Sequence, residues 1–458
     1  MSTWATYVAK SLPVFALPPF IVATFSPGEA AVWFIFITLQ GMQLLIASST
    51  DQPMVRGYAY ALGGATQVQD MRIADPSTHR SPNVELFSRV WGVSVFAHLV
   101  IGIATLVLLS AMGIWSAAPL IADTGTGELW VALAAFILGG AIRAYGGLHV
   151  SYLMGIDRIP LLRWWETCFW LLAFVAALSV LLLGGGLLEI AIGYQIPLCL
   201  NIVWNAWLCR RDQNNRAGFV SRIRVDREVL AQLWPSIWRT GLGTTLFIGA
   251  TQGAGLYYAT VGEAQDVAAF LFAMSIIRPL GQFAQVPFMT KLPRLARLQA
   301  EGERGAQRKI AERSMMLSYA LHAFMVIGVA LALPIVPGLR GSEVQVPILL
   351  WLLIGIAGYI ERMGSMHLQL YATTNHVLLH WANGLAAAVF LGLAAVLLPT
   401  LEVYAFPVGH MIALVMIYCP IGMINSYRSF RLNFPIFEMR TSLAPVTVLL
   451  LSLMAIKK

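Results

Sequence analysis

The sequence predicts an all-α polytopic membrane protein. About twelve transmembrane helices form two pseudo-symmetric six-helix lobes, and a short thirteenth apolar segment follows them. Three observations carry that reading. Hydrophobic residues make up 58% of the 458 positions and charged residues only 11%, whereas a soluble domain is about 25% charged and needs that charge to cover its surface. Apolar runs of about 20 residues, the length that crosses a bilayer as a helix, recur along the whole chain. Basic residues gather in alternate loops. Together these exclude a secreted disulfide scaffold, a cytosolic enzyme and a disordered tail protein.

The spans fall at roughly 8–25, 30–50, 89–113, 128–151, 161–184, 187–208, 231–256, 265–290, 315–336, 345–370, 381–399 and 403–425. The first holds Lys10, Pro13, Pro18 and Pro19 with no small-residue cleavage site, so it reads as a span and not a removed signal. Gly184-Gly185-Gly186 reads as a tight turn between the fifth and sixth spans. The run 441–456, ahead of Lys457 and Lys458, reads as a half-span, an interfacial helix or a marginal span. The domain reading is an N-terminal lobe over 1–208, a basic linker over 209–230, a C-terminal lobe over 231–425 and a tail over 426–458. Within the loop 291–313, Leu292, Leu295 and Leu298 stand at threefold spacing among Arg294 and Arg297, the pattern of an amphipathic surface helix. Cys168, Cys199, Cys209 and Cys419 lie in or beside apolar runs and read as small buried hydrophobes.

The net charge is +8, and its placement explains it. With a cytoplasmic N-terminus, the cytoplasmic loops collect Arg56, Arg72, Arg80 and Arg89, Arg158 and Arg163, the arginines from Arg210 to Arg227, the basic residues from Lys291 to Arg313, and Arg428, Arg431 and Arg440. The opposite face has Arg340 against acids such as Glu29, Asp123, Glu189 and Glu343. This is the positive-inside asymmetry, and it leaves no excess that calls for nucleic acid.

An internal repeat supports the two lobes. Gly28-Glu29-Ala30 recurs as Gly262-Glu263-Ala264, Phe36 recurs as Phe270, and Pro53 and Pro287 follow at the same spacing. Six spans are an even number, so both copies keep one orientation, related by an axis along the membrane normal. A rotation of about 180° around that axis, with a cleft between the lobes, is the expected architecture.

Four arginines fall inside spans: Arg143, Arg239, Arg278 and Arg362. A charge at that depth is costly and marks function by default. Arg143, Arg239 and Arg362 lie about 12 Å below the cytoplasmic boundary at 1.5 Å per residue, so snorkelling competes with a functional role. Arg278 lies near the midplane, and its competing reading is a buried ion pair or pairing with carbonyls. The acids within spans are Glu166, Glu361 and Asp51. Glu166 is placed to pair with Arg163 three residues before it. Glu361 adjoins Arg362, but adjacent helix positions point about 100° apart. A cavity with this positive excess attracts anions, and an arginine fork suits phosphate. Glycines at 241, 243, 249, 253 and 255 in the seventh span permit close packing or bending, and Pro279 beside Arg278 frees a carbonyl.

Other motifs are dismissed. There is no phosphate-binding G-x-x-x-x-G-K-[ST] loop. His376 and His380 lack the glutamate of a zinc protease. His98, His149, His322 and His410 are scattered. No motif calls for a cofactor or metal.

The stretch Phe25-Ser26-Pro27-Gly28-Glu29-Ala30-Ala31-Val32-Trp33, with Pro53-Met54-Val55-Arg56 after the second span, resembles the opening of bacterial polysaccharide-unit flippases of the multidrug/oligosaccharidyl-lipid/polysaccharide exporter superfamily. Met154-Gly155-Ile156-Asp157-Arg158 resembles the turn after their fourth span, and Gly262-Glu263-Ala264 the turn after their seventh. The resemblance implies a MATE-like fold that alternates between inward- and outward-facing states. It implies a substrate, an oligosaccharide on undecaprenyl pyrophosphate, and a setting in O-antigen, capsule or exopolysaccharide synthesis at the bacterial inner membrane. It places Arg239 and Arg278 first, then Arg143 and Arg362, as holders of the pyrophosphate; Glu361, an acid within a span, is the candidate proton carrier. Transport is then driven by an ion gradient or by removal of product. Expected partners are the lipid-linked oligosaccharide, membrane lipids, a polysaccharide polymerase and glycosyltransferases. Three rival readings stand beside it: a multidrug or cation antiporter of the same fold, which needs buried carboxylates; a membrane polymerase or ligase, which needs a large outer loop with catalytic Arg or His; and a non-transporting scaffold that keeps the fold.

Overall fold

A computed structural model describes residues 2–65, 67, 82–212, 225–300, 303–335, 344–374 and 378–456. The turn at 75–77, most of the basic linker, Arg340, His376 and the terminal lysines lie outside these residues. Among the described residues all regular structure is helical. The helices are α1 (Ser2–Thr24), α2 (Pro27–Leu62), α3 (Val84–Thr124), α4 (Glu128–Gly155), α5 (Ile159–Leu182), α6 (Leu187–Arg211), α7 (Arg227–Val261), α8 (Ala264–Met289), α9 (Leu292–Ala300), α10 (Arg304–Ala332), α11 (Ile348–Ala372), α12 (Leu379–Leu401), α13 (Ala405–Ala413), α14 (Cys419–Phe430), α15 (Phe434–Thr441) and α16 (Leu443–Ile456).

The twelve apolar runs appear as α1–α8, α10, α11, α12 and the α13–α14 pair, so the chain is an all-α multi-pass membrane protein. Among the described residues eight helical stretches are each long and apolar enough to cross a bilayer, and one of these, His380–Phe430, has the length of two spans. It folds back at Glu402, a non-glycine residue with φ +49°, and α12 packs along α13. A π-turn at Leu414–Tyr418 joins α13 to α14. Helices α2, α3, α7 and α10 run a turn or more beyond the expected apolar runs. The amphipathic pattern in 291–313 forms α9, with Leu295 buried. The run 441–456 appears as α16, which meets α15 at a bend of 52°.

Local chemistry sets the helix ends. Asn83 caps α3 by accepting from the Leu86 amide at 2.9 Å, as asparagine does at N-caps. At the α2 entry, the Ser26 amide and hydroxyl donate to Glu29 at 3.0 and 2.8 Å, a capping box. The turn between α5 and α6 is the expected glycine turn, with Gly184 at φ +81°, a conformation in which a Cβ would clash.

The chain divides into two compact units. The first comprises 1–17 and 35–245, the second 18–34 and 246–458. Lipid is as apolar as a protein core, so close packing and hydrogen bonds hold such helices together. In the first unit, α2, α3, α4 and α7 meet around Tyr58, Phe87, Trp91, Tyr152 and Leu233, with Tyr58 edge-on to Tyr152 at 5.5 Å. A Cβ at Gly155 would stand 2.5 Å from the Tyr58 Cβ, so glycine is what lets α4 reach α2. Arg89 on α3 donates to Asp226 and Glu228 at 2.6 Å each, and Asp226 in turn caps α7 through the amides of Glu228 and Val229. The hydrogen bond from Arg89 holds the Asp226 carboxyl below the usual carboxylate range. In the second unit, Phe270 stacks on Phe406 at 5.3 Å, and the Trp351 indole donates to the Val326 carbonyl at 3.0 Å.

Candidate functional site

Each unit contains one membrane-depth arginine on its fourth span, hydrogen-bonded to a glutamine on its second. In the first unit Arg143, on α4, donates through Nε to Gln43 of α2 at 3.3 Å and through Nη1 to Gln195 of α6. Gln43 and Gln195 are buried, and Gln40 donates to the Tyr194 hydroxyl at 3.1 Å beside them. No carboxylate pairs with Arg143 among the described residues. Its Nη2 and the Gln195 Nε2 are buried donors without an acceptor.

In the second unit Arg362, on α11, donates to Gln285 of α8 and to Glu361. Gln285 is fixed in turn, donating to Ser365 at 3.1 Å and Gln369 at 2.9 Å. The Arg362–Glu361 pair corrects the sequence expectation. The backbone directions of neighbouring positions diverge, but the long arginine side chain curls back across that angle. Arg278, on α8, feels the charge of Glu361 yet makes no hydrogen bond or ion pair with any described residue. It is half-buried, so it is not closed off in the buried ion pair that competed for it. His322 of α10 and His410 of α13 also lie within electrostatic reach of Glu361.

Snorkelling does not describe Arg143 or Arg362. Both helices run further than the apolar runs suggest, which puts Arg143 about 18 Å and Arg362 about 15 Å from the nearer C-terminal ends of α4 and α11 at 1.5 Å per residue. Their heads point to buried amides. Arg239 lies on α7 and its side chain is outside the described set. Glu166 pairs with Arg163 at 2.6 Å as expected, and also with Lys10 of α1 at 3.6 Å. Asp51 is different: its carboxylate accepts from Ser151 of α4 at 3.2 Å and forms no ion pair with any described residue. His98 and His149 prove to be electrostatic neighbours. The cysteines are free, with Cys209 and Cys419 buried and Cys168 and Cys199 only partly so.

The sequence reading missed the glutamines. Gln40, Gln43, Gln195 and Gln285 sit in apolar spans, where every polar group needs a partner, and that was the available signal. It also missed a buried network in the tail. His367 meets Ser426 at 2.7 Å and Glu438 at 3.2 Å, while Tyr427 and Ser442 donate to the same carboxylate. These bonds fasten α15 to α11 and α14.

No protein-family model matches the chain, and no curated protein matches it. Solved structures do. One described as an inward-facing multidrug resistance MATE family transporter of the MOP superfamily superposes with a TM-score of 0.64 at 14% identity, covering 94% of this chain and 96% of the other. Lipid II flippase MurJ, in an inward closed conformation, gives 0.66 at 9% identity over 100% of this chain and 97% of its own. An outward-facing MATE structure gives 0.56 at 15% identity, over 94% and 95%. At these identities the likeness establishes the fold: a MATE- and MurJ-like helical bundle.

Proposed function

We propose that the chain is a flippase. It carries oligosaccharide units linked to undecaprenyl pyrophosphate across the bacterial inner membrane by alternating access, with its N-terminus in the cytoplasm. It is a transporter and not an enzyme. One observation supports this reading above the others: Arg278 is a half-buried arginine at mid-span with no ion partner among the described residues, beside the Arg362–Glu361 pair. A charge kept unpaired at that depth needs a ligand of opposite sign, and a planar fork of donors suits a pyrophosphate. Arg143 and Arg362 are second-rank contacts in this reading, and Arg239 joins them on the strength of the resemblance.

The test is Arg278→Ala in a strain whose surface polysaccharide depends on this chain. Export is expected to be lost with normal amounts of protein in the membrane, and Arg278→Lys to restore it only in part, because an ammonium cannot bind two oxygens side by side. Normal export by Arg278→Ala removes this residue from the site.

Asp51 favours a second reading, a cation antiporter of the same fold. It is the intramembrane acid that no arginine or lysine neutralises among the described residues, whereas Glu166 and Glu361 are both paired. That reading predicts loss of organic-cation efflux in Asp51→Asn and indifference to Arg278→Ala.

A further inference from the structure

The second unit's arginine carries its own anion, and that has a consequence for how a ligand enters. Glu361 and Arg362 sit deep in α11, about 20 Å and 16 Å from the helix ends for Glu361 at 1.5 Å per residue. Even so, the Glu361 side chain is 24% exposed and that of Arg362 12%. Arg278 lies within electrostatic reach of Glu361, so an anion held by Arg278 stands close to this pair. Gln285 holds Arg362 from the other side and is itself held by Ser365 and Gln369. The guanidinium thus keeps its place when Glu361 lets go.

The charge count points the same way. Arg278, Arg362 and ionised Glu361 sum to one positive charge. A pyrophosphate diester is a dianion, so its arrival leaves the cluster negative, and in a poorly solvated site net charge is costly. Adding one proton to Glu361 brings the total to zero. The other groups that face Glu361 are His322 from α10, His410 from α13, and Tyr418 and Cys419 at the π-turn and α14. None of them supplies a negative charge at neutral pH. Glu361 is the carboxylate an incoming anion would confront.

Resting on the lipid-pyrophosphate reading above, we propose that Glu361 is a built-in stand-in for the substrate anion: the pyrophosphate takes Arg362 from it, and the released carboxyl takes up one proton from water, so anion and proton bind together. The carboxyl O–H bond forms as the bond to the same proton in hydronium or a buffer acid breaks. By linkage, protonation and anion binding strengthen one another by the same factor.

The test uses the full chain in lipid nanodiscs and a probe that does not titrate near neutrality, geranyl-pyrophosphoryl-N-acetylglucosamine. Calorimetry in two buffers of unlike ionisation enthalpy reads proton uptake. The wild type is expected to take up about one proton per probe bound, with affinity falling about tenfold per pH unit through the window where that uptake occurs. Glu361→Gln is expected to bind more tightly at pH 8, with no uptake and a flat pH profile. Binding by the wild type without proton uptake overturns the inference and leaves the lipid-pyrophosphate reading standing; this arm needs no variant. Uptake that persists in Glu361→Gln also overturns it, since a histidine would then be the acceptor. If neither wild type nor variant binds the probe while both remain monodisperse, the lipid-pyrophosphate reading itself fails and the inference falls with it.

Discussion

The two units solve one problem in opposite ways. Each carries an arginine at membrane depth on its fourth span and fixes it with a glutamine from its second. In the first unit every hydrogen-bond partner of Arg143 among the described residues is a neutral amide. In the second, Glu361 compensates Arg362 and the free charge is displaced onto Arg278. The glutamines position the forks. The carboxylate decides whether a fork is already occupied. A buried ion pair is costly to break from one side, whereas a charge held by amides leaves no ionised orphan behind when it is removed.

That difference predicts unequal effects on stability. Arg362→Ala leaves Glu361 without its hydrogen-bonded counter-ion and should destabilise by up to about 3 kcal/mol, less than stranding a fully buried charge because the carboxyl is partly exposed and can take up a proton. Adding Glu361→Gln should restore most of it. Arg143→Met strands only amides and should change stability by no more than about 1 kcal/mol, since the lost hydrogen bonds are offset by removal of an uncompensated charge. Thermal unfolding in detergent checks both. Equal losses for the two variants would mean that Arg143 has a carboxylate partner after all.

Packing offers a second contrast. Gly155→Ala in the first unit places a Cβ 2.5 Å from Tyr58 and 3.1 Å from the Val55 carbonyl, and should cost about 1–3 kcal/mol by overpacking. Gly328→Ala in the second meets nothing within 4 Å and should stabilise by up to about 1 kcal/mol through helix propensity. The unfolding midpoints should move in opposite directions.

The smallest effect lies at the start of α7. Asp226 has its carboxyl depressed by Arg89, so the stability it contributes is present above the unfolded carboxylate value, near pH 4, and is lost as pH falls through the lower folded value. The side chain is 25% exposed, and partly exposed pairs are worth about 1 kcal/mol or less. Arg89→Gln should therefore flatten the stability profile only below about pH 4, measured as the unfolding midpoint against pH.

Much of the fold was readable because a span announces itself by length and apolarity: all twelve apolar runs appear as helices, and the Gly184 turn lies where its glycines stand. Helix ends were less readable, since water tolerates a continuing helix and composition does not mark where α2 or α10 stops. At the site, the positions of Arg278, Glu361 and Arg362 were visible, but their partnerships were not. Arg362 bonding its own neighbour depends on a side-chain path that spacing rules ignore, and Gln285 reaches Arg362, and His322 and His410 reach Glu361, from helices far apart in sequence. The network around Glu438 was hidden because the tail was read as an apolar appendage, while its polar residues hold it to the bundle.

The flippase proposed above moves a lipid-linked pyrophosphate that Arg278 holds. The direct measurement is translocation in proteoliposomes: a fluorescent undecaprenyl-pyrophosphate-linked sugar in both leaflets, quenched from outside by a membrane-impermeant reagent. Wild-type vesicles are expected to expose nearly all of the label, and Arg278→Ala vesicles only the outer-leaflet half, as in protein-free controls. Wild-type vesicles that match the protein-free controls, or Arg278→Ala vesicles that match the wild type, would contradict the account.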